Sequence, residues 1–137
     1  MKFRSVAASS LLAGLGALLL NGCGSTGPEL AAVSGIVTLD GQPLAGATVE
    51  FQPPKGSPST GVTDSSGAYR LAYTARKQGA MLGKHSVRIT FVAEKTDAEG
   101  NSVASPQLLP PKYNRNSELT AEVKPGSNKL DFQLNGR

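Results

Sequence analysis

The strongest constraint on this fold is a pair of alternating apolar runs that flank a turn. Residues 33–39 and 47–51 place apolar side chains mostly at every second position, which is the period of a β-strand. Between them, Asp40-Gly41-Gln42-Pro43 supplies residues that favour turns. The sequence therefore predicts a β-hairpin over residues 33–51.

Further alternating runs follow the first one. Residues 60–73 predict strand, turn and strand, with the turn at residues 64–67, and residues 84–92 form the longest regular run. Residues 119–123 and 130–134 predict a last hairpin. The 16 glycines and 9 prolines suit a turn-rich chain. The fold class predicted is all-β: an antiparallel β-sandwich of about seven strands, immunoglobulin-like or transthyretin-like.

Two kinds of exposed segment are also predicted. Residues 94–105 are charged and lack periodicity, which favours an exposed excursion. Residues 60–63 are a candidate sheet edge. The proline-rich residues 108–113 are either a second edge or a crossing between sheets, since proline cannot donate to a central ladder.

The N-terminus has the pattern of an export signal. Lys2 and Arg4 precede an apolar run over residues 6–20, which four serines and glycines interrupt. This pattern favours a signal peptide over a permanent membrane span. We therefore expect a signal peptide at residues 1–22, a flexible tether at residues 23–32, and one β-domain at residues 33–137.

Cys23 indicates which kind of signal peptide this is. Leu20-Asn21-Gly22-Cys23 resembles the lipobox of bacterial lipoproteins, in which the cysteine receives a diacylglycerol and becomes the new N-terminus. The alternative is an incidental thiol beside a signal that is cut elsewhere. Cys23 is the chain's one cysteine, so it has no intramolecular partner, and lipidation would consume the thiol. Gly24 differs from the aspartate of inner-membrane retention signals, which favours the outer membrane, facing the periplasm.

The charge does not favour a nucleic-acid partner. Lys2 and Arg4 contribute two units of the formal charge of +4, so the part predicted to remain after export carries +2. No basic cluster with interleaved aromatic residues remains in that part.

Individual polar residues each allow a functional and a structural interpretation. Asp64 is either a metal ligand or a turn cap, and its place in Asp64-Ser65-Ser66-Gly67 favours the cap. His85, the only histidine, is either a ligand or base or a packed residue, and its place in an apolar row favours packing. Glu118 and Glu122 fit a solvated strand face. Tyr113 can anchor its segment through its ring and hydroxyl.

Two segments carry a family resemblance. Residues 35–51, followed by residues 63–69, resemble the carboxypeptidase regulatory-like (transthyretin-like) domain. The chain is also similar to short bacterial lipoproteins with one such domain, in which a Pro-Lys-Tyr-Asn segment, here residues 111–114, precedes a Ser-Glu-Leu-Thr strand, here residues 117–120. The resemblance covers residues 33–134.

The resemblance implies a non-catalytic module without a cofactor or metal. Transthyretin-related hydroxyisourate hydrolases share the fold, but they use several histidines and arginines and a Tyr-Arg-Gly-Ser-like end, which this chain lacks. We expect no catalytic residue, and a binding module for an envelope protein or glycan. Tyr69, Tyr73 and Tyr113 are the tyrosines available for an exposed aromatic patch. The alternative is a structural or spacer component of the envelope that assembles through strand edges.

Overall fold

Two six-stranded β-sheets form the framework of the described chain. The computed structural model describes residues 27–104 and 109–136. The strands are β1 (Leu30–Leu39), β2 (Gln42–Pro43), β3 (Thr48–Gln52), β4 (Ser59–Val62), β5 (Ala68–Arg70), β6 (Ala72–Thr74), β7 (Lys77–Gln78), β8 (Ala80–Met81), β9 (Gly83–Thr90), β10 (Glu94–Thr96), β11 (Ser102–Ala104), β12 (Leu119–Val123), β13 (Ser127–Lys129) and β14 (Phe132–Leu134), with a 3₁₀ helix at Pro111–Tyr113. The predicted signal peptide and Cys23 lie outside the described residues, and β1 begins within the stretch predicted as a tether.

The first sheet is built around β1. Antiparallel partners β8, β5 and β2 pair with it in turn, and β13 and β14 pair with it in parallel. Its burial alternates along the strand, with Ala31, Val33 and Val37 buried. One ten-residue strand therefore holds together segments from the beginning, middle and end of the described chain.

The second sheet is antiparallel throughout. Its strand order is β12-β9-β3-β4-β6-β7, and each strand of the β3–β9 pair turns one apolar row inward. The prediction of an all-β sandwich is confirmed. Most of the predicted excursion at residues 94–105 forms a separate hairpin of β10 and β11. No helix among the described residues is long and apolar enough to cross a bilayer.

The core lies between the two sheets. The ring of Phe51 on β3 meets the ring of Phe132 on β14 edge to face, with centroids 6.1 Å apart. Phe132 in turn contacts the ring of Tyr69 on β5. The buried apolar residues are Ala31, Val33, Val37, Leu44, Ala47, Val49, Phe51, Tyr69, Leu71, Ala80, Val87, Ile89, Leu109, Tyr113, Val123 and Leu134.

The hairpin predicted over residues 33–51 is wrong in its pairing. Asp40 and Gly41 have φ values of 51° and 81°, so they close a two-residue turn of the kind that joins adjacent antiparallel strands. That turn pairs the end of β1 with Gln42–Pro43 only. The chain then crosses to the second sheet, where β3 pairs with β4 and β9.

The other two predicted hairpins are corrected in the same way. The turn at residues 64–67 exists, but β5 after it pairs with β1 in the first sheet, and only β6 returns to β4. In the C-terminal segment, β12 pairs with β9 while β13 and β14 pair with β1. Turns with hairpin composition therefore carry the chain between sheets.

The predicted edges are also wrong where the structure describes them. β4, which contains most of residues 60–63, lies between β3 and β6. Residues 111–113 form the 3₁₀ helix rather than an edge strand. The outermost described strands of the second sheet are β12 and the two-residue β7.

Tyr113, the last residue of the 3₁₀ helix, anchors its own segment, as predicted. Its side chain is buried, and its hydroxyl accepts a hydrogen bond of 2.9 Å from the backbone N–H of Asn135. Lys112 places its ammonium 5.1 Å from the same ring. The tyrosine thus ties the end of the described chain to the connection before β12.

We expect Tyr113→Phe to lower the free energy of unfolding by about 1 kcal/mol, because it removes one hydrogen bond and leaves the ring in place. Urea unfolding followed by circular dichroism measures the change. Tyr73→Phe is the matched control, since no described residue hydrogen-bonds its hydroxyl, and it should change the midpoint of unfolding little. Equal effects of the two variants would contradict the anchoring role.

Candidate binding cleft

A cleft of about 660 Å³ opens on the outward face of the second sheet. Its floor is the polar face of β3 and β9, and its wall is the segment around the 3₁₀ helix. The lining residues are Thr48, Glu50, Arg88, Thr90, Leu109, Pro111, Asn114 and Arg115. The floor residues follow from strand alternation, because the even-numbered residues of β3 and β9 face away from the core.

Asn114 fixes the wall of the cleft to the sheet. Its buried side-chain amide donates to the carbonyl oxygens of Ile89, at 3.3 Å, and Pro110, at 3.2 Å. Its amide oxygen accepts a 2.9 Å hydrogen bond from the backbone N–H of Arg115. Because both ends of the amide are used, the wall is held by a satisfied buried group, and Arg115 is placed at the rim.

Three charged side chains line the cleft. Arg88 and Glu50 are cross-strand partners, and Nη1 of the arginine lies 3.6 Å from Oε1 of the glutamate. Arg88 also donates from Nε to the carbonyl of Asn114 at a long 3.4 Å. Half of the Arg88 side chain is exposed. Arg115 is exposed and has no carboxylate within ion-pair distance among the described residues.

The cleft therefore carries one excess positive charge and two guanidinium groups that face solvent. A loose, half-exposed ion pair contributes little to stability, so Arg88 can exchange its contact with Glu50 for a ligand at small cost. Guanidinium groups bind carboxylates through two parallel hydrogen bonds. The arrangement is suited to an acidic group on a ligand that also contacts the threonine hydroxyls.

Two other hollows lie on the described surface. One of about 530 Å³ is lined by Asp64, Arg70 and Lys129 and also has one excess positive charge, but it has a single guanidinium group, and its carboxylate accepts hydrogen bonds from its own turn. The other, of about 750 Å³, lies near Pro53, Lys84 and Glu122. Its lysine and glutamate are cross-strand partners of opposite charge, which leaves no excess charge for recognition.

His85 is a packed residue, as predicted. It is only 2% exposed, its Nε2 lies 2.7 Å from the carbonyl oxygen of Met81, and its ring centroid lies 5.6 Å from that of Phe51. No described residue hydrogen-bonds its buried Nδ1. The histidine is therefore packed, and it borders the 750 Å³ hollow and not the cleft.

Asp64 caps its turn, as predicted. Its carboxylate accepts hydrogen bonds from the hydroxyl and N–H of Ser66 and from the N–H of Ala68. These bonds, led by the Ser66 hydroxyl, hold the pKa of Asp64 below its ordinary value. No group of three or more His, Cys, Asp or Glu residues that could hold a metal ion occurs in the described part of the chain.

The tyrosines do not form the exposed patch considered from the sequence. Tyr69 and Tyr113 are 3% and 6% exposed, and only Tyr73 is half-buried. The Tyr69 hydroxyl donates to the carbonyl of Leu130, and burial, with the nearby Asp131 charge, raises its pKa above the ordinary value. Glu118 and Glu122 are exposed, as expected for a solvated face.

The cleft residues were missed by the sequence reasoning. Alternation places Glu50 and Arg88 on wet faces, but only the strand register makes them neighbours. Arg115 lies in a connection without periodicity. The one usable signal was the Pro-Lys-Tyr-Asn segment at residues 111–114, whose asparagine holds the wall.

No family model matches this chain, and no curated protein sequence does. Two solved structures resemble it weakly. A 9R-lipoxygenase from Cyanothece PCC8801 is 16% identical with a TM-score of 0.42, over 80% of this chain and 17% of the lipoxygenase. A DUF3823 family protein from Parabacteroides merdae ATCC 43184 is 13% identical with a TM-score of 0.42, over 79% of this chain and 47% of that protein. This chain thus spans less than half of either, and similarity at this level carries no functional argument.

Proposed function

We propose that this chain is a membrane-anchored, non-catalytic envelope lipoprotein whose carboxypeptidase regulatory-like β-sandwich binds another envelope protein. The observation that carries the proposal is the cleft with Arg88 and Arg115 at its opening. The anchor is the lipid proposed for Cys23, and it would hold the domain at the outer membrane, facing the periplasm.

The chemistry of the cleft indicates the kind of ligand it takes. Two guanidinium groups against one carboxylate favour an acidic side chain. Thr48 and Thr90 add hydroxyl groups on the floor, and Pro111 adds an apolar contact on the wall. An extended protein segment with an Asp or Glu side chain offers all three complements: a carboxylate, backbone polar groups and apolar side chains.

A protein ligand is favoured over a glycan. A stacking surface for sugar rings needs an exposed aromatic face, and no aromatic residue is among the described residues that line the cleft. The absence of catalysis is supported by His85, whose ring packs on Phe51 and whose Nε2 is bound to a backbone carbonyl. A general base must be able to reach its substrate, and this histidine is only 2% exposed.

Photo-crosslinking in intact cells tests the proposal. A photoreactive amino acid at Thr90 samples the cleft, and the same amino acid at Arg76, in the turn between β6 and β7, samples a distant surface. We expect a protein adduct from position 90 only. Arg88→Gln with Arg115→Gln should reduce it at least tenfold, since each charge-assisted hydrogen bond contributes about 1.5–3 kcal/mol.

The controls separate recognition from general charge. Arg70→Gln removes an exposed arginine from the other sheet and should leave the adduct unchanged. In membrane vesicles, a poly-glutamate peptide should compete, and a poly-glutamine peptide of equal length should not. An adduct that persists without Arg88 and Arg115, or that forms equally from position 76, would overturn the proposal.

A further inference from the structure

The outer edge of β12 presents a short row of backbone groups to solvent. In β9, the carbonyl oxygens of Val87 and Ile89 accept hydrogen bonds from Ser117 Oγ and Asn114 Nδ2, so these odd-numbered residues point toward the β12 side. Along an antiparallel strand, the backbone N–H and C=O groups of successive residues point alternately to the strand on one side and to the strand on the other. The odd-numbered residues of β12 therefore bond to β9, and the N–H and C=O groups of Thr120 and Glu122 point outward.

The two ends of this edge are closed. The N–H of Glu118 donates to the carbonyl of Lys112 at 3.0 Å. The N–H of Lys124 donates to Oδ1 of Asn128, and its carbonyl accepts from Nδ2 of the same residue, at 2.9 and 2.8 Å. Within residues 27–104 and 109–136, the open edge is thus limited to the four backbone polar groups of Thr120 and Glu122.

We propose that β12 pairs antiparallel with β12 of a second copy of this chain, about a two-fold axis at Ala121. In this register Thr120 lies opposite Glu122 of the second copy, and the reverse pair forms by symmetry. The backbone N–H and C=O groups of Thr120 and Glu122 all point toward the other copy. The four groups of each copy therefore form hydrogen bonds with the four groups of the other. The two six-stranded sheets become continuous.

The side chains select this register over its neighbours. Centred on Ala121, the pairing brings the side chain of Glu118 toward that of Lys124 of the other copy, twice, on the exposed face, while the backbone groups of both residues keep their own partners outside the new ladder. Centred on Thr120, it would set Glu118 against Glu122, and centred on Glu122, it would set two glutamates face to face. Opposite charges across a strand pair stabilise it, and like charges directly opposite destabilise it.

The inner face of the same strand also suits a second copy. Leu119 and Ala121 are only half-buried in the single chain, although they pack against the core. In the paired sheet Leu119 lies opposite Val123 of the other copy, which extends the apolar row. The cleft stays open, because it lies on the outer face at β3 and β9. The pairing therefore stands independently of the proposed ligand binding.

Disulfide trapping of the full chain in membrane vesicles tests this. Position 121 lies on the axis, in a pair whose Cα atoms are about 4.5 Å apart, within the span of a disulfide. Ala121→Cys should give a reducible dimer of twice the chain mass. Arg76→Cys, on an exposed turn, is the control, because any disulfide dimer that it forms measures random collision between copies.

Charge exchange then tests the register. In the Ala121→Cys background, Glu118→Lys or Lys124→Glu should each reduce dimer formation roughly tenfold, since either turns two attractive pairs into repulsive ones. The two changes together should restore it. Both residues are exposed, and circular dichroism checks that each variant is folded. Equal trapping in all four chains, no excess over the Arg76→Cys chain, or an adduct with another protein would each overturn the proposal.

Discussion

Cys23→Ser should abolish acylation of this chain and release it from the membrane. The wild-type protein extracted from membranes should show a mature N-terminus at Cys23 and the added mass of two or three acyl chains. Each buried methylene contributes about 0.8 kcal/mol to membrane affinity, so two chains anchor a domain stably where one does not. A serine hydroxyl does not replace the thiol as the lipid acceptor, so the whole of that affinity should be lost.

Intact mass separates the possible outcomes. A variant that stays in the membrane because its signal peptide is uncut still carries the mass of residues 1–22. An acylated chain lacks that mass and carries acyl mass instead, so the two cases differ in intact mass. Ser25→Ala is the matched control, two residues beyond the cysteine, and it should remain acylated. An unmodified Cys23 in the wild type, or a mature N-terminus elsewhere, would contradict the lipoprotein proposal and leave a periplasmic or secreted sandwich.

Gly35→Ala should destabilise the domain more than other single-methyl changes on β1. A Cβ at position 35 would lie 1.9 Å from the carbonyl oxygen of Leu130 and 2.9 Å from Cε1 of Tyr69. The carbonyl cannot move freely, because it accepts the hydroxyl of Tyr69 and the N–H of Leu130 donates to Ser34 at 2.8 Å. The methyl group must therefore push strands apart.

We expect a loss of at least about 3 kcal/mol in the free energy of unfolding, the upper range for overpacking in a core. Urea unfolding followed by circular dichroism measures it, with Ser34→Ala as the control on the adjacent position. That control should change stability by no more than about 0.5 kcal/mol. If Gly35→Ala has the same urea midpoint as the wild type, it would contradict the close contact of Gly35 with Leu130 and Tyr69.

The sequence was informative about faces and turns. Alternation on β9 places His85, Val87 and Ile89 in one row, and all three are buried. Turn chemistry identified Asp64-Ser65-Ser66-Gly67, where the carboxylate accepts the N–H groups of the turn. These signals are local, because strand period and side-chain capping depend on residues a few positions apart.

Strand partners could not be predicted, because alternation shows which face a residue takes and not which strand lies beside it. The turn at Asp40-Gly41 closes a hairpin of only two residue pairs, and the one at residues 64–67 is a corner between sheets. The parallel pairing of β14 with β1 joins Val37 to Phe132, a contact without a local signature. The cleft depends on the same long-range register, so Glu50 and Arg88 could be placed on wet faces but not beside each other.

The position of β1 in the first sheet determines how the domain resists a mechanical force applied at its N-terminal end. If lipid on Cys23 holds the chain, tension from the membrane enters through the residues just before Leu30 and runs along β1. The strand is bonded on both sides, antiparallel to β5 and parallel to β13 and β14. A force along the strand axis loads these ladders in shear, so many hydrogen bonds must break together rather than one at a time. A domain tethered through this strand would keep its shape under traction while its cleft holds a partner.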